Sequence, residues 1–93
     1  MNSYLFEVAA KNAVIKTVKE NHSESFTVDQ IHMVWFAHLM GFKKGIFIDA
    51  GKVAGENNRI YEVTYDRDKK ALYVDEYDKV ENAVITEMDF IVH

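Results

Sequence analysis

The clearest pattern of apolar and polar positions is a period of two between residues 59 and 77, RIYEVTYDRDKKALYVDEY. Its first arm places Tyr61, Val63 and Tyr65 on one side of an extended chain, and its second arm resumes the alternation after a polar segment. Alternating β-branched and aromatic residues on both sides of a polar turn are typical of a β-hairpin. We therefore predict two antiparallel strands joined by a turn at 66–70.

A different pattern, with apolar positions spread over a broad arc at helical spacing, covers residues 2–20, NSYLFEVAAKNAVIKTVKE. Such an arc is typical of a helix that lies across a sheet. Ser3, with Asn2 beside it, offers a side chain that caps the first turn. The polar segment 21–25, NHSES, does not easily continue a helix, so we predict that the helix ends there.

The next segment, residues 26–40, is a long apolar run that we interpret as the first strand, starting near Val28. Regular alternation would place Trp35 on one face and both His32 and His38 on the other. A helix is the rival interpretation, because Met, Leu, Ala and His are not strong strand formers. The Val-Trp-Phe triplet and the glycine after the run favour the strand.

The remaining elements complete an antiparallel sheet. Residues 42–50 predict a second strand, a glycine- and asparagine-rich loop follows at 51–58, and the hairpin supplies strands three and four. Residues 79–88 fit either a last strand or a short helix. We therefore expect residues 1–93 to form a single α+β domain. It has an N-terminal helix packed on a four-stranded antiparallel meander sheet, two layers of cystatin-like outline.

The composition narrows the setting in which the protein works. The chain has 48% apolar and 28% charged residues, which is ordinary for a folded protein. It has no cysteine, hence no disulfides or thiolate metal ligands, which suits a reducing cytoplasm. No apolar run approaches the roughly 20 residues that span a bilayer, and no signal-peptide pattern opens the sequence. We expect a cytoplasmic protein that does not enter a membrane.

Acidic residues are concentrated in the last third of the chain. Residues 1–61 carry seven Lys/Arg and six Asp/Glu, a net of +1, whereas residues 62–93 carry four and nine, a net of −5, and together these give −4. An acidic surface disfavours binding to nucleic acid, whose phosphates need several Lys/Arg on one face. It permits a basic protein partner. We therefore expect no direct nucleic-acid binding. The alternative to a partner-binding role is that these acidic residues only form a solvated face.

No catalytic or metal-binding arrangement emerges from the residue spacing. His32 and His38 are six residues apart, roughly 20 Å along a strand at about 3.3 Å per residue, so they cannot share a metal ion. The serines at positions 3, 23 and 25 lie at predicted helix ends, and none is on a strand-to-helix elbow beside a base. The sequence predicts no catalytic residues, no metal and no cofactor.

One candidate for ligand binding is the loop at 51–59, GKVAGENNR. Its glycines allow backbone amides to converge on an anion, and Lys52 and Arg59 supply positive charge. Lys43 and Lys44, on the preceding strand, could extend this basic patch. The loop lacks the GKS or GKT ending of a Walker loop, and glycine- and asparagine-rich segments between strands are mostly turns.

A second candidate is the sheet face that the helix leaves uncovered. One helix covers one face of a sheet, so the other face is solvated or bound. We expect the tyrosines of the hairpin to cluster on one face with the tryptophan, a composition favoured at protein interfaces. The candidate partner-binding residues are Trp35, Tyr61, Tyr65, Tyr73 and Tyr77.

The hairpin also carries a family resemblance. The string YEVTYDRDKKALYVDEYDKVENAVI resembles the C-terminal half of a family of small proteins carried by phages and prophages of Gram-positive bacteria, catalogued as a domain of unknown function. The residues that correspond to its recurring positions are Trp35, Tyr61, Glu62, Thr64, Tyr65, Lys69, Lys70, Asp75 (or Glu76), Tyr77, Glu81 and Asn82. The resemblance covers residues 28–86. It departs at 66–68, Asp-Arg-Asp, where members carry Asn-Gly, and in a longer loop at 51–58.

The resemblance implies a phage-encoded accessory protein of the host cytoplasm and implies no activity. Together with the residues, it leads to the hypothesis of a non-catalytic protein that binds a host protein, in host takeover or counter-defence. Formation of a homodimer is a further way to occupy the uncovered sheet face. The alternative hypothesis is a small-molecule binder, such as a sponge for a nucleotide signal, that uses the loop at 51–59.

Overall fold

One helix and a four-stranded antiparallel sheet make up the part of the chain that the computed structural model describes, residues 1–49 and 59–77. In chain order the elements are α1 (Ser3–His22), a short 3-10 helix (Val28–Gln30), β1 (Ile31–Leu39), β2 (Phe42–Asp49), β3 (Ile60–Asp66) and β4 (Ala71–Tyr77). The strand order in the sheet is β1-β2-β3-β4, so each strand pairs with the next one along the chain. The predicted α+β fold, a helix packed on an antiparallel meander, is confirmed. The predictions for the loop at 51–58 and for residues 79–88 lie outside the described residues.

Each end of α1 is capped by a hydrogen bond to a backbone group, and the local sequence explains both caps. At the start, the side chain of Asn2 rather than Ser3 is the cap, and its Oδ1 accepts a hydrogen bond from the Leu5 amide at 2.8 Å. At the end, Ser23 adopts a left-handed conformation with φ 57°, and its amide donates to the Lys19 carbonyl. The helix therefore runs two residues beyond the predicted end. No helix within the described ranges is both long and apolar enough to cross a membrane.

The core lies between α1 and one face of the sheet, which we call the covered face. Along the helix, four residues spaced by four positions form one buried stripe: Phe6, Ala10, Val14 and Val18. Opposite them, the fully buried sheet residues are Ile31, Phe47, Tyr61 and Val63. The stripe is narrower than the apolar arc of the sequence, because the sheet meets the helix along a single line of contact.

The start of β1 differs from the prediction because residues 28–30 turn instead of extending. Gln30 returns its side chain to Thr27, where its Oε1 accepts a hydrogen bond from the Thr27 amide at 2.8 Å. This reciprocal cap stabilises a single 3-10 turn. The strand consequently begins at Ile31 and not near Val28.

A bulge in β1 changes which side chains face the helix. The register with β2 pairs Met33 with Phe47 and then Trp35 with Ile46, so Val34 is the extra residue. A bulge of one residue exchanges the two faces for the rest of the strand. As a result, Trp35 lies on the face opposite to Ile31 and Met33, and the predicted regular alternation along this strand is wrong.

The predicted hairpin is present. β3 and β4 pair from Ile60 with Tyr77 to Asp66 with Ala71. In the turn, Oδ1 of Asp66 accepts hydrogen bonds from the amides of Asp68 at 3.0 Å and Lys69 at 3.3 Å, an arrangement that replaces the Asn-Gly of many tight turns. The last turn residue, Lys70, takes the left-handed conformation with φ 51°.

Candidate functional site

The sheet face turned away from α1, which we call the open face, carries large apolar side chains that remain accessible to solvent. Their exposed fractions lie between 41% and 56%. These residues are Trp35, Leu39, Phe42, Ile60, Tyr73 and Tyr77. Single exposed apolar residues are common on proteins, whereas a concentration on one face marks an interaction site.

The cross-strand pairs show how this face is arranged. Trp35 of β1 pairs with Ile46 of β2, Ile46 with Glu62 of β3, and Glu62 with Asp75 of β4. Since neighbouring strands are about 4.8 Å apart, this row crosses the sheet from an aromatic side chain to two carboxylates. Nζ of Lys44 forms a salt bridge with Oε1 of Glu62 at 3.0 Å. Asp75 has no ion-pair partner among the described residues. Apolar side chains therefore lie over all four strands of the open face, and the carboxylates of Glu62 and Asp75 lie among those of β3 and β4.

The four tyrosines of the hairpin are divided between the two faces, and the prediction that they share one is wrong. Tyr61 and Tyr65 pair with Glu76 and Leu72 on the covered face, whereas Tyr73 pairs with Thr64 on the open face. The reason is the register, which pairs odd-numbered residues of β3 with even-numbered residues of β4. Tyr61 is fully buried and so does not contribute to an exposed surface.

The open face also includes residues that the sequence analysis did not select. Ile60, at the start of β3, pairs with Tyr77 of β4 and is exposed beside it. The alternating pattern of the hairpin could have predicted this pair, because Ile60 directly precedes Tyr61 and consecutive residues of a strand point to opposite faces. Leu39 had no comparable signal, because the side it takes depends on the bulge in β1. Phe42 is its cross-strand partner in β2.

A cluster of ionisable groups ties the end of α1 to the sheet. Nε2 of His22 lies 2.8 Å and 3.0 Å from the two carboxylate oxygens of Glu76. Nη2 of Arg59 donates to Oε1 of Glu24 at 3.0 Å, and the Arg59 side chain is only 11% exposed. Burial lowers the pKa of Arg59, but the hydrogen bond to Glu24 and nearby carboxylates outweigh it and hold that pKa above its ordinary value.

Tyr61 lies in the same region with its hydroxyl buried. In the described part of the chain this hydroxyl has no hydrogen-bond partner. Burial raises the pKa of Tyr61 to about 12, with the positive charge of Arg59 acting in the opposite direction. The phenol therefore stays neutral at physiological pH, and its environment is that of a core residue.

The basic patch proposed around the loop at 51–59 is not assembled as the sequence suggested. Lys43 and Lys44 face opposite sides of the sheet, because they are consecutive residues of one strand. Lys43 pairs with Tyr65, which lies six residues along β3 from Arg59, a distance of roughly 20 Å at about 3.3 Å per residue. Lys52 lies outside the described residues. Use of the loop by a nucleotide stays a prediction.

The histidines of β1 are separated by the bulge. His32 pairs with Ile48 on the open face, and His38 pairs with Lys43 on the covered face. Among residues 1–49 and 59–77 there is no group of three or more His, Asp or Glu side chains placed to hold a metal ion. The expectation that both histidines share one face is wrong for the same reason as the prediction for Trp35.

Comparison with known proteins gives a family and no activity. A protein-family model, described as a family of unknown function, matches residues 7–87, which include most of α1 and all four strands. No curated protein and no solved structure matches the chain.

Proposed function

We propose that this chain, which belongs to the family of unknown function DUF6275, is a non-catalytic binding protein. In this proposal its open sheet face docks a partner protein. The observation that carries the proposal is the exposure of Trp35, Tyr73 and Tyr77 on a face that no described element covers. Tryptophan and tyrosine are the side chains that most often dominate binding energy at protein interfaces.

The charge of the open face selects the chemistry of the partner. The exposed apolar side chains of this face match an apolar patch on a partner, and Glu62 and Asp75 match Lys or Arg beside that patch. Because Lys44 is bound to Glu62, Asp75 is the carboxylate of this row that remains available to a cation. A partner with apolar residues flanked by basic ones is therefore the best complement.

We further propose that the partner is a host protein, and that the protein acts as a phage-encoded accessory factor in host takeover or counter-defence in the host cytoplasm. What supports this setting is the resemblance of the hairpin to the phage and prophage proteins. The acidic surface supports a protein partner over nucleic acid.

The test is a quantitative pull-down from lysate of a Gram-positive host with three versions of the protein: wild type, Trp35→Ala and Tyr4→Ala. Tyr4 is a matched control, because it is 73% exposed on α1, away from the open face. We expect a captured protein that Trp35→Ala loses and Tyr4→Ala retains. Capture that is equal in all three versions, or no capture from any lysate, contradicts the proposal.

A second copy of the chain is the competing occupant of the open face. Light scattering of the wild type at increasing concentration measures the oligomeric state directly. A dimer that Trp35→Ala dissociates would assign the face to self-association and would replace the host protein as its occupant. A monomer combined with selective capture supports the proposal.

A further inference from the structure

A small cleft of about 40 Å³ lies at the end of the sheet where α1 begins, far from the cluster around Arg59. Its walls include Met1, the β1–β2 turn at Gly41, and three basic side chains. Those side chains are His38, Lys43 and Arg67, and two aromatic residues, Phe42 and Tyr65, complete the lining. Most of this lining belongs to the covered face and to the turns at that end of the sheet, and Phe42 is its one residue from the open face.

Lys43 is the feature of the cleft that needs explanation. It is only 9% exposed, and it is the one buried charged residue in the described part of the chain. Its Nζ lies 3.3 Å from Nε2 of His38, and it has no carboxylate partner within the described ranges. A buried ammonium without a counter-charge is unfavourable, because burial removes its hydration and a single imidazole contact replaces little of it.

Two further donors surround the same space. Arg67 is held by its backbone, whose amide donates to the Gly41 carbonyl at 3.0 Å, while its side chain is 73% exposed. The guanidinium approaches Asp68 only to 3.9 Å, a weak contact between exposed groups. Tyr65, whose side chain carries a hydroxyl, is a further lining residue with a polar group. The nearby carboxylate of Asp66 accepts two turn amides.

We propose that this cleft binds a small oxyanion, the phosphoryl or carboxylate group of a small molecule, on Lys43 and Arg67. Both residues line the cleft, and an ammonium and a guanidinium can supply charge-assisted hydrogen bonds to such a group. A bound oxyanion would provide the counter-charge that Lys43 lacks. The two positive charges favour a phosphate dianion over a carboxylate.

The experiment is a titration of the folded full-length protein, followed by the amide NMR signals of Gly41, Lys43 and Arg67 at constant ionic strength. Inorganic phosphate and acetate are the two probes, and chloride is the reference. We expect saturable shifts with phosphate and weaker binding of acetate. Tighter binding of acetate than of phosphate would keep the site and reassign the ligand to carboxylates. Shifts no larger than those with chloride would overturn the proposal.

A matched pair of variants assigns the effect to the cleft. Lys43→Met keeps the length of the side chain and removes its charge, and we expect it to weaken phosphate binding at least about tenfold, the loss of one charge-assisted hydrogen bond. Lys44→Met removes the neighbouring charge on the open face and should leave binding unchanged. Equal effects of the two variants would contradict the site. Arg67→Gln, at an exposed position, provides the same test should Lys43→Met fold poorly.

Discussion

The ring of Phe6 in α1 lies directly over Gly45 in β2. A Cβ at position 45 would come within 3.2 Å of the Phe6 ring and 2.8 Å of the Phe47 ring. The ring centroids of Phe6 and Phe36 are 5.5 Å apart, and those of Phe6 and Phe47 are 6.4 Å apart. Gly45 is therefore the position at which the helix approaches the sheet backbone, and the aromatic cluster closes around it.

We predict that Gly45→Ala destabilises the protein by about 1–3 kcal/mol, the usual cost of overpacking a core. Urea unfolding of the variant and the wild type measures this difference. Phe6→Leu in the Gly45→Ala background should recover part of the loss, because the smaller side chain makes room for the methyl group. A variant as stable as the wild type would show that the Phe6 and Phe47 rings move away from position 45 at little cost.

The position of Trp35 provides a test of the bulge in β1. Trp35 is the one tryptophan of the chain and is 49% exposed. We predict a red-shifted fluorescence emission and efficient quenching by acrylamide. Without the bulge the ring would lie beneath α1, and its emission would be blue-shifted and protected.

The control moves the tryptophan by one residue. In a Trp35→Phe, Phe36→Trp double variant, the indole takes the place of Phe36, which packs against the core. Its emission should shift to the blue and its quenching should decrease. Similar quenching in both proteins would contradict the exchange of faces after Val34.

Tyr61→Phe should leave the protein as stable as the wild type at neutral pH, or stabilise it by about 1 kcal/mol. The buried hydroxyl has no hydrogen-bond partner in the described chain, so its removal takes away a desolvated polar group. Thermal or urea unfolding at pH 7 measures this difference. A loss of more than about 1 kcal/mol would indicate that the hydroxyl makes a stabilising hydrogen bond.

The same tyrosine predicts how stability changes at high pH. The pKa of Tyr61 is raised from 10.0 to about 12 in the folded protein. The neutral phenol therefore contributes fully to the free energy of unfolding below the pKa of the unfolded chain. This contribution is lost as pH rises through the pKa of the folded protein. Stability should therefore fall between about pH 10 and 12 by more in the wild type than in Tyr61→Phe. Equal slopes for the two proteins would show that Tyr61 titrates normally.

The ion pair between Glu24 and Arg59 should matter more than the pair on the helix surface. We predict that Glu24→Gln costs about 1–3 kcal/mol, because it weakens a charge-assisted hydrogen bond to a largely buried guanidinium. Glu7→Gln, which breaks the i,i+4 pair with Lys11, should cost about 0.5 kcal/mol or less. Urea unfolding of both variants compares the pairs, and equal losses would contradict the difference in burial.

Much of the architecture followed from local patterns. The helical arc of α1, the alternation in β3 and β4, and the polar turn at 66–70 each specify an element from neighbours within a few residues. Short connections between successive strands then favour a meander, because consecutive strands usually pair. The local pattern fails at 28–30, which it predicts as strand. There the Thr27 and Gln30 side chains stabilise a 3-10 turn instead.

The helix, the four strands and their order therefore follow from patterns within the sequence. Tertiary structure decided which side chains each face displays. The side-chain period of a strand is two, so the single extra residue Val34 moved Trp35 to the open face and separated the two histidines of β1. The register of β3 with β4 likewise buried Tyr61 and exposed Tyr73. Both candidate sites depend on such pairings between strands. The alternating pattern of a single strand does not predict how that strand pairs with its neighbours.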